Sequence, residues 1–130
     1  CIRDRPWRTG IKVFSEFPNV YCKVSSLATE ADHHSWTVDD LRPYVKHIFE
    51  CFGLERTFFG GDWPVSSQAA AYPVCVETLL RFLEGCSDIE LAKVFRLNAI
   101  RFYKLSGASN RDTQGRSRAG KTNAAMGKRR

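Results

Sequence analysis

The sequence lacks most of the patterns that assign a protein to a membrane, a secretory route or a common catalytic class. It has no apolar run of membrane length and no signal-peptide pattern, so we expect neither membrane insertion nor secretion, and a cytoplasmic setting. It has no Gly-rich phosphate loop, no nucleophile elbow and no H-E-x-x-H pattern. The single methionine is Met126. With none at position 1, we expect Cys1 to be a cut end or the edge of a gene model, and the chain to be part of a longer protein.

The cysteines form no metal-binding or disulfide pattern. There are five at wide spacing, with no C-x-x-C pair and no Cys/His cluster of the zinc-finger type. We therefore expect reduced thiols at all five positions, which are Cys1, Cys22, Cys51, Cys75 and Cys86.

The net positive charge arises at the end of the chain. The formal net charge is +6, and all of it arises between Ser106 and Arg130, because acids and bases balance in residues 1–105. This end is rich in Gly, Ser, Ala, Asn and Arg and poor in large apolar residues, a composition typical of disorder. Nucleic-acid binding through the tail is one alternative function, since clustered cations give salt-sensitive affinity for phosphates. The tail lacks interleaved aromatic residues and a basic helix face, so we do not expect nucleic acid as a partner.

Periodicity predicts a β-α-β unit in the first half of the chain. A helix is predicted over Trp7–Phe17, and then a strand over Val20–Ser25 with alternating faces. The next helix has a capping pattern at Thr37 with Asp40, and apolar residues at helical spacing lead to a C-terminal Gly53; Pro43 is expected to kink it or to mark its start. A short buried strand, 56–59, follows. Two strands joined through a helix by short links are expected to be parallel.

Two more helices are predicted before the globular part ends near Leu105. The first starts at Pro73 and is closed by Gly85, and the second starts at a capping box of Ser87 and Glu90. The fold class is therefore α/β, with residues 1–105 globular and residues 106–130 a disordered basic tail.

Asp62 is the residue best placed for chemistry. It follows the second strand and Gly60-Gly61, and ligands bind at the carboxyl ends of parallel strands. The two glycines are expected to let the backbone bend before the carboxylate. A carboxylate held there can take a proton from water or ligate a divalent ion. The alternative is a plain Gly-Gly-Asp turn in which the carboxylate satisfies local amides.

Other polar residues are candidates for substrate contact. Lys23 and Ser25 share one face of the first strand, so a parallel arrangement directs them to the same crevice as Asp62. The alternative for Lys23 is an exposed edge-strand lysine. Trp63 could wall a pocket, although all three tryptophans suit packing roles.

Two adjacent histidines, His33 and His34, lie near Glu30 and Asp32 in the loop after the first strand. Such a set could bind metal or substrate, but neighbouring side chains diverge, so a solvated loop is the preferred interpretation.

Several segments in order resemble the last quarter of the amidohydrolase-related family, within the amidohydrolase superfamily. This branch contains sugar-lactone hydrolases and 2-pyrone-4,6-dicarboxylate lactonase. The similar segments are N-V-Y-C-K-V-S-S-L from Asn19, T-E-A-D from Thr29, W-T-V-D-D-L-R-P-Y-V from Trp36, F-G-G-D-W-P-V from Phe59 and N-A-I-R-F-Y-K-L from Asn98.

The resemblance implies the last two strands and the closing helices of a distorted (β/α)8 barrel, with Asp62 as the base that activates water. It implies a small-molecule lactone or carboxylate substrate and leaves the cofactor open between none and one divalent metal such as zinc, which Asp62 would ligate. Gly61 stands where the family usually has Ser, and Ser26 where it usually has Gly. The family's other strand-end histidines would precede Cys1, so the isolated chain is expected to be inactive. A non-catalytic barrel remnant is the other alternative; no oligomeric state is predicted.

Overall fold

The computed structural model describes residues 4–25 and 27–105, which form an α/β fold around a parallel sheet. Within that part of the chain the sheet has two strands, β1 (Cys22–Ser25) and β2 (Thr57–Gly60). They pair in parallel, with Cys22 beside Thr57 and Ser25 beside Gly60. The predicted β-α-β unit is therefore confirmed. Ser26 and the predicted tail, 106–130, lie outside the described residues.

Helix α2 (Val38–Phe52) connects the two strands, and the predicted signals set both of its ends. The Thr37 side chain accepts a hydrogen bond from the Asp40 amide, while the Asp40 carboxylate accepts from the Thr37 amide at 2.8 Å. Gly53 ends the helix with φ +64°, a conformation that suits glycine. Pro43 does not mark the start, because the helix already begins at Val38.

The remaining helices follow the predicted order with shifted bounds. They are α1 (Asp4–Ser15), α3 (Tyr72–Phe82), α4 (Asp88–Ala92) and α5 (Asn98–Tyr103), and a short 3-10 turn, Val65–Gln68, precedes α3. A π-helical turn, Lys93–Leu97, joins α4 to α5, so one helical stretch runs through all three. Helix α1 ends before Phe17. None of the helices in the described ranges is long and apolar enough to cross a membrane.

The core lies between the helices and one face of the sheet. Val24 is its contribution from β1, in line with the apolar face predicted for that strand. The buried members, all at most 7% exposed, are Val24, Val45, Ile48, Phe52, Leu79, Leu83 and Val94.

The opposite face of the sheet carries Lys23, Ser25, Phe58 and Gly60, which alternate with the core residues. Phe58 is covered by the end of α5, where its ring centroid lies 5.5 Å from that of Phe102. Lys23 of β1, which lies beside Phe58 of β2, remains exposed. The polar residues of this face therefore collect toward the carboxyl ends of the two strands.

Candidate functional site at the carboxyl ends of the strands

Asp62 lies two residues beyond β2 and is exposed. Its φ is +46°, a left-handed conformation that Asp adopts more readily than most residues, though at a cost. The Asp62 carbonyl accepts a hydrogen bond from the Ser66 amide at 2.9 Å, which joins Asp62 to the start of the 3-10 turn. We expected the two glycines to let the backbone bend; neither has a positive φ, and the left-handed residue is Asp62 itself.

Because Gly60 has no side chain, the side chains of β1 can lie directly against the backbone of β2 at this end. A β-carbon placed on Gly60 would lie 2.9 Å from Lys23 Cδ and 2.9 Å from Ser25 Cβ, closer than real side chains approach. The aliphatic part of Lys23 therefore lies across the backbone of β2, one residue before Gly61. The structure thus brings Lys23 and Ser25 to the strand end from which Asp62 continues.

Gly61 allows a second close approach, from a residue that the sequence did not single out. A β-carbon on Gly61 would overlap Cε2 of Tyr72 and lie 3.1 Å from its Cδ2. Tyr72 opens α3, so only the folded chain brings it here. The Gly-Gly pair was the one available signal, because paired glycines also mark close backbone approach.

The three tryptophans have different surroundings. Trp63 is 72% exposed, so the packing role suggested for it is wrong, and its ring is available to a ligand next to Asp62. Trp7 packs against the core, as expected. The Trp36 indole N–H donates to the Ala69 carbonyl at 3.0 Å and so joins the loop after β1 to the loop after β2.

The loop with the two histidines contains hydrogen bonds between its own residues. His33 Nε2 lies 2.9 Å from the Thr29 carbonyl oxygen, and the His34 amide donates to Asp32 at 3.0 Å. The hydrogen bond from the His34 amide lowers the pKa of Asp32 below its ordinary value. All three side chains are exposed, which supports the solvated-loop interpretation. Across residues 4–25 and 27–105, no three His, Cys, Asp or Glu side chains are grouped to hold a metal ion.

The cysteines lie apart from this chemistry. Cys22, Cys51, Cys75 and Cys86 are free thiols, as expected, and Cys1 lies outside the described residues. Burial, with a smaller effect of Cys51, raises the pKa of Cys22 to about 11. This thiol therefore stays protonated near neutral pH and is a poor nucleophile.

A cavity of about 20 Å³ lies beside the strand ends, lined in part by Ser25, Gly60 and Trp36. This volume holds no more than a water molecule or so. A larger concavity of about 680 Å³ is bounded by Trp7, Trp36 and the start of α2. Asp62 lines neither of them.

The sequence matches the family described as Amidohydrolase over residues 3–105. It is 37% identical over 114 residues to L-fucono-1,5-lactonase of Burkholderia ambifaria, covering 82% of this chain and 38% of that protein. It is 31% identical over 99 residues to the uncharacterized protein y4mH of Sinorhizobium fredii, covering 76% of this chain and 33% of that protein.

Among solved structures, the chain resembles an amidohydrolase of Burkholderia multivorans crystallised with bound zinc, with a TM-score of 0.72 and 31% identity. The match covers 76% of this chain and 37% of that one. The chain thus spans little more than a third of the length of these relatives. Family match, sequence identity and fold agree, and the chain belongs to the amidohydrolase family.

Proposed function

We propose that this chain is the C-terminal part of a barrel-type lactone hydrolase in which Asp62 activates the attacking water. In this proposal β1 and β2 are the last two strands of a (β/α)8 barrel, residues 1–105 belong to the barrel, and residues 106–130 are a tail. Two of the relatives at 35% identity or more are named as L-fucono-1,5-lactonases, which supports a lactone as the substrate class.

One observation carries the proposal. Asp62 leaves the carboxyl end of β2 where Lys23 and Ser25 lie on the parallel neighbour, with the Lys23 stem across Gly60. The carboxyl ends of barrel strands are where active sites form, because the loops after the strands enclose that side. A base, a cation and a hydroxyl therefore come from two neighbouring strands to one end of the sheet.

These groups suffice for hydrolysis of a cyclic ester. Asp62 takes a proton from water as the water oxygen bonds to the lactone carbonyl carbon. The carbon–oxygen bond of the ring then breaks, and the departing oxygen takes up the proton, which leaves a hydroxy acid. The Lys23 ammonium is suited to a carbonyl or carboxylate oxygen of the substrate, Ser25 to a substrate hydroxyl, and the exposed face of Trp63 to a sugar ring.

Zinc does not fit the described residues by themselves. A catalytic zinc site takes three protein ligands and a water. Among residues 4–25 and 27–105, no three His, Cys, Asp or Glu side chains, Asp62 included, are grouped to hold a metal ion. A metal in the complete protein would need further ligands from outside this part. The steps assigned to Asp62, Lys23 and Ser25 do not depend on it.

The test is hydrolysis of a panel of sugar lactones and pyrone dicarboxylates by the complete protein and its Asp62→Asn variant. Loss of a general base lowers kcat by about 100- to 10,000-fold, so the variant is expected to be almost inactive. Asp39→Asn is the matched control, because Asp39 is an exposed carboxylate on α2 that pairs with Arg42 at 2.9 Å.

Lys23→Met separates binding from chemistry in the same panel. It keeps an aliphatic stem over Gly60 and removes the charge, so KM is expected to rise more than kcat falls. Hydrolysis that survives in Asp62→Asn would contradict the role of Asp62. A panel on which the wild-type protein is inactive would contradict the proposal as a whole and favour a non-catalytic barrel remnant.

A further inference from the structure

The Tyr72 ring occupies the space that a side chain at position 61 would need. Its Cε2 overlaps the position of a β-carbon on Gly61, and its Cδ2 and Cζ lie 3.1 and 3.5 Å from that position. These are three atoms of one ring edge, so the edge rests directly on the Gly61 backbone. Position 61 is the residue immediately before Asp62.

The same ring also touches β2. Its centroid lies 6.2 Å from that of Phe59, with the ring planes at 68°, an edge-to-face contact. Phe59 packs against the core, which fixes one side of the contact. Tyr72 is 46% exposed, so the ring has a packed side toward Phe59 and Gly61 and a side toward solvent.

Asp62 itself needs support from its surroundings. Its φ of +46° is a conformation that L residues rarely keep unless neighbouring groups hold them there. After Asp62, the hydrogen bond from the Ser66 amide to its carbonyl fixes the chain at 2.9 Å. Before Asp62, the Tyr72 ring edge contacts the backbone at Gly61.

We propose that Tyr72 is a positioning residue for Asp62, and that Gly61 is glycine so that the ring can reach the backbone. The ring acts through Gly61. It blocks movement of the Gly61 backbone toward α3 and so keeps the Asp62 carboxylate directed to the substrate side. This inference rests on the proposed function, since it concerns the aim of the catalytic base.

The test uses kcat and KM of the complete protein for its best lactone in Tyr72→Ala and Tyr72→Phe. Displacing a catalytic group by about 1 Å can cost about 100-fold, so Tyr72→Ala is expected to lower kcat by about 10- to 100-fold with KM little changed. Tyr72→Phe keeps the ring edge and is expected to restore kcat. Tyr44→Ala is the control, because it also removes a ring that is 36% exposed, from α2.

A second pair of variants tests the contact itself. Gly61→Ser in the wild-type background forces the ring away, so both kcat and Tm are expected to fall. In the Tyr72→Ala background the space is open, and Gly61→Ser is expected to add no further loss.

Equal kcat values in Tyr72→Ala and Tyr44→Ala, with Asp62→Asn inactive, would overturn the role of Tyr72 and leave the proposed function standing. Additive effects of Gly61→Ser and Tyr72→Ala would equally overturn it. Full activity in Asp62→Asn would remove the proposed function and this inference together.

Discussion

Arg56 holds the connection between α1 and β1 against the start of β2. Its guanidinium donates to the carbonyl oxygens of Ser15 at 2.8 Å, Phe17 at 2.9 Å and Val20 at 3.2 Å. The same group lies 5.2 Å from the centre of the Phe52 ring. One side chain therefore bonds carbonyls at the end of a helix and in the turn that follows, among them the Phe17 carbonyl, which also accepts from the Val20 amide at 3.1 Å.

Replacing Arg56 is expected to destabilise the fold. Arg56→Ala leaves three carbonyls without their charged donor, and one such hydrogen bond is worth about 1.5–3 kcal/mol, so we expect a loss of about 3 kcal/mol. Arg56→Lys should recover only part of it, because a single ammonium does not reproduce the fork of the guanidinium. Urea unfolding of the complete protein measures both, with Arg81→Ala, an exposed arginine on α3, as the control. A loss in Arg56→Ala no larger than in Arg81→Ala would contradict this role.

The sequence predicted the position of Asp62 but not its support. An apolar run followed by Gly-Gly-Asp locates a strand end from neighbouring residues alone. Tyr72 lies eleven residues after Gly61, at the start of α3, and no local pattern encodes the contact between them. For the same reason the exposure of Trp63 went against expectation: an aromatic residue beside a strand indicates packing only when a partner element covers it.

Two helices begin with the same reciprocal cap. At α2, the Asp40 carboxylate accepts from the Thr37 amide and hydroxyl at 2.8 and 2.7 Å. At α4, the Glu90 carboxylate accepts from the Ser87 amide and hydroxyl at the same two distances. The side-chain hydrogen bond from the hydroxyl is the larger cause in each case, and it lowers the pKa of Asp40 and of Glu90 below their ordinary values of 3.8 and 4.5.

These caps predict a loss of stability in acid. The folded pKa of each carboxyl is depressed, so between the ordinary and the folded pKa the unfolded chain binds more protons than the folded one. The stabilisation is complete above about pH 5 and falls as the pH drops through the ordinary and then the folded value. Thermal unfolding at pH 7 and pH 3.5 should show a smaller acid shift in Asp40→Asn and Glu90→Gln than in the wild type. Glu77→Gln, at an exposed position on α3, should keep the full shift. A decrease in Tm between pH 7 and pH 3.5 that is as large in both cap variants as in the wild type would contradict this prediction.

Element order followed from periodicity, but the π-helical turn did not. Helix starts were predictable because Thr37 and Ser87 carry their caps within three residues. The π turn coincides with a tertiary contact: Asn98, which is 3% exposed, donates to the carbonyls of Leu54 at 2.6 Å and Thr57 at 2.8 Å. The π turn, with its extra residue, is thus followed directly by a side chain that is hydrogen-bonded to another part of the fold. The helical spacing of apolar residues in the sequence does not indicate this contact.

At the scale of the molecule, the two-stranded sheet shows why the barrel was predicted from the family resemblance and not from local pattern. Among the described residues each strand has one neighbour, so both outer edges present backbone groups that a larger sheet would pair. A closed barrel pairs every such edge, and the chain spans 33–38% of the length of its relatives. The β-α-β unit was predictable from local pattern, while the barrel rests on resemblance, because no local pattern encodes what pairs with the two outer strand edges.

The most direct test of the account is a crystal structure of the complete protein with a lactam analogue of its best lactone, which resists hydrolysis. We expect the lactam carbonyl carbon about 3–3.5 Å from a water held by the Asp62 carboxylate, the distance of a near-attack geometry, with Lys23 and Ser25 lining the same pocket. An analogue bound at another strand end, with Asp62 turned away from it, would contradict the central claim.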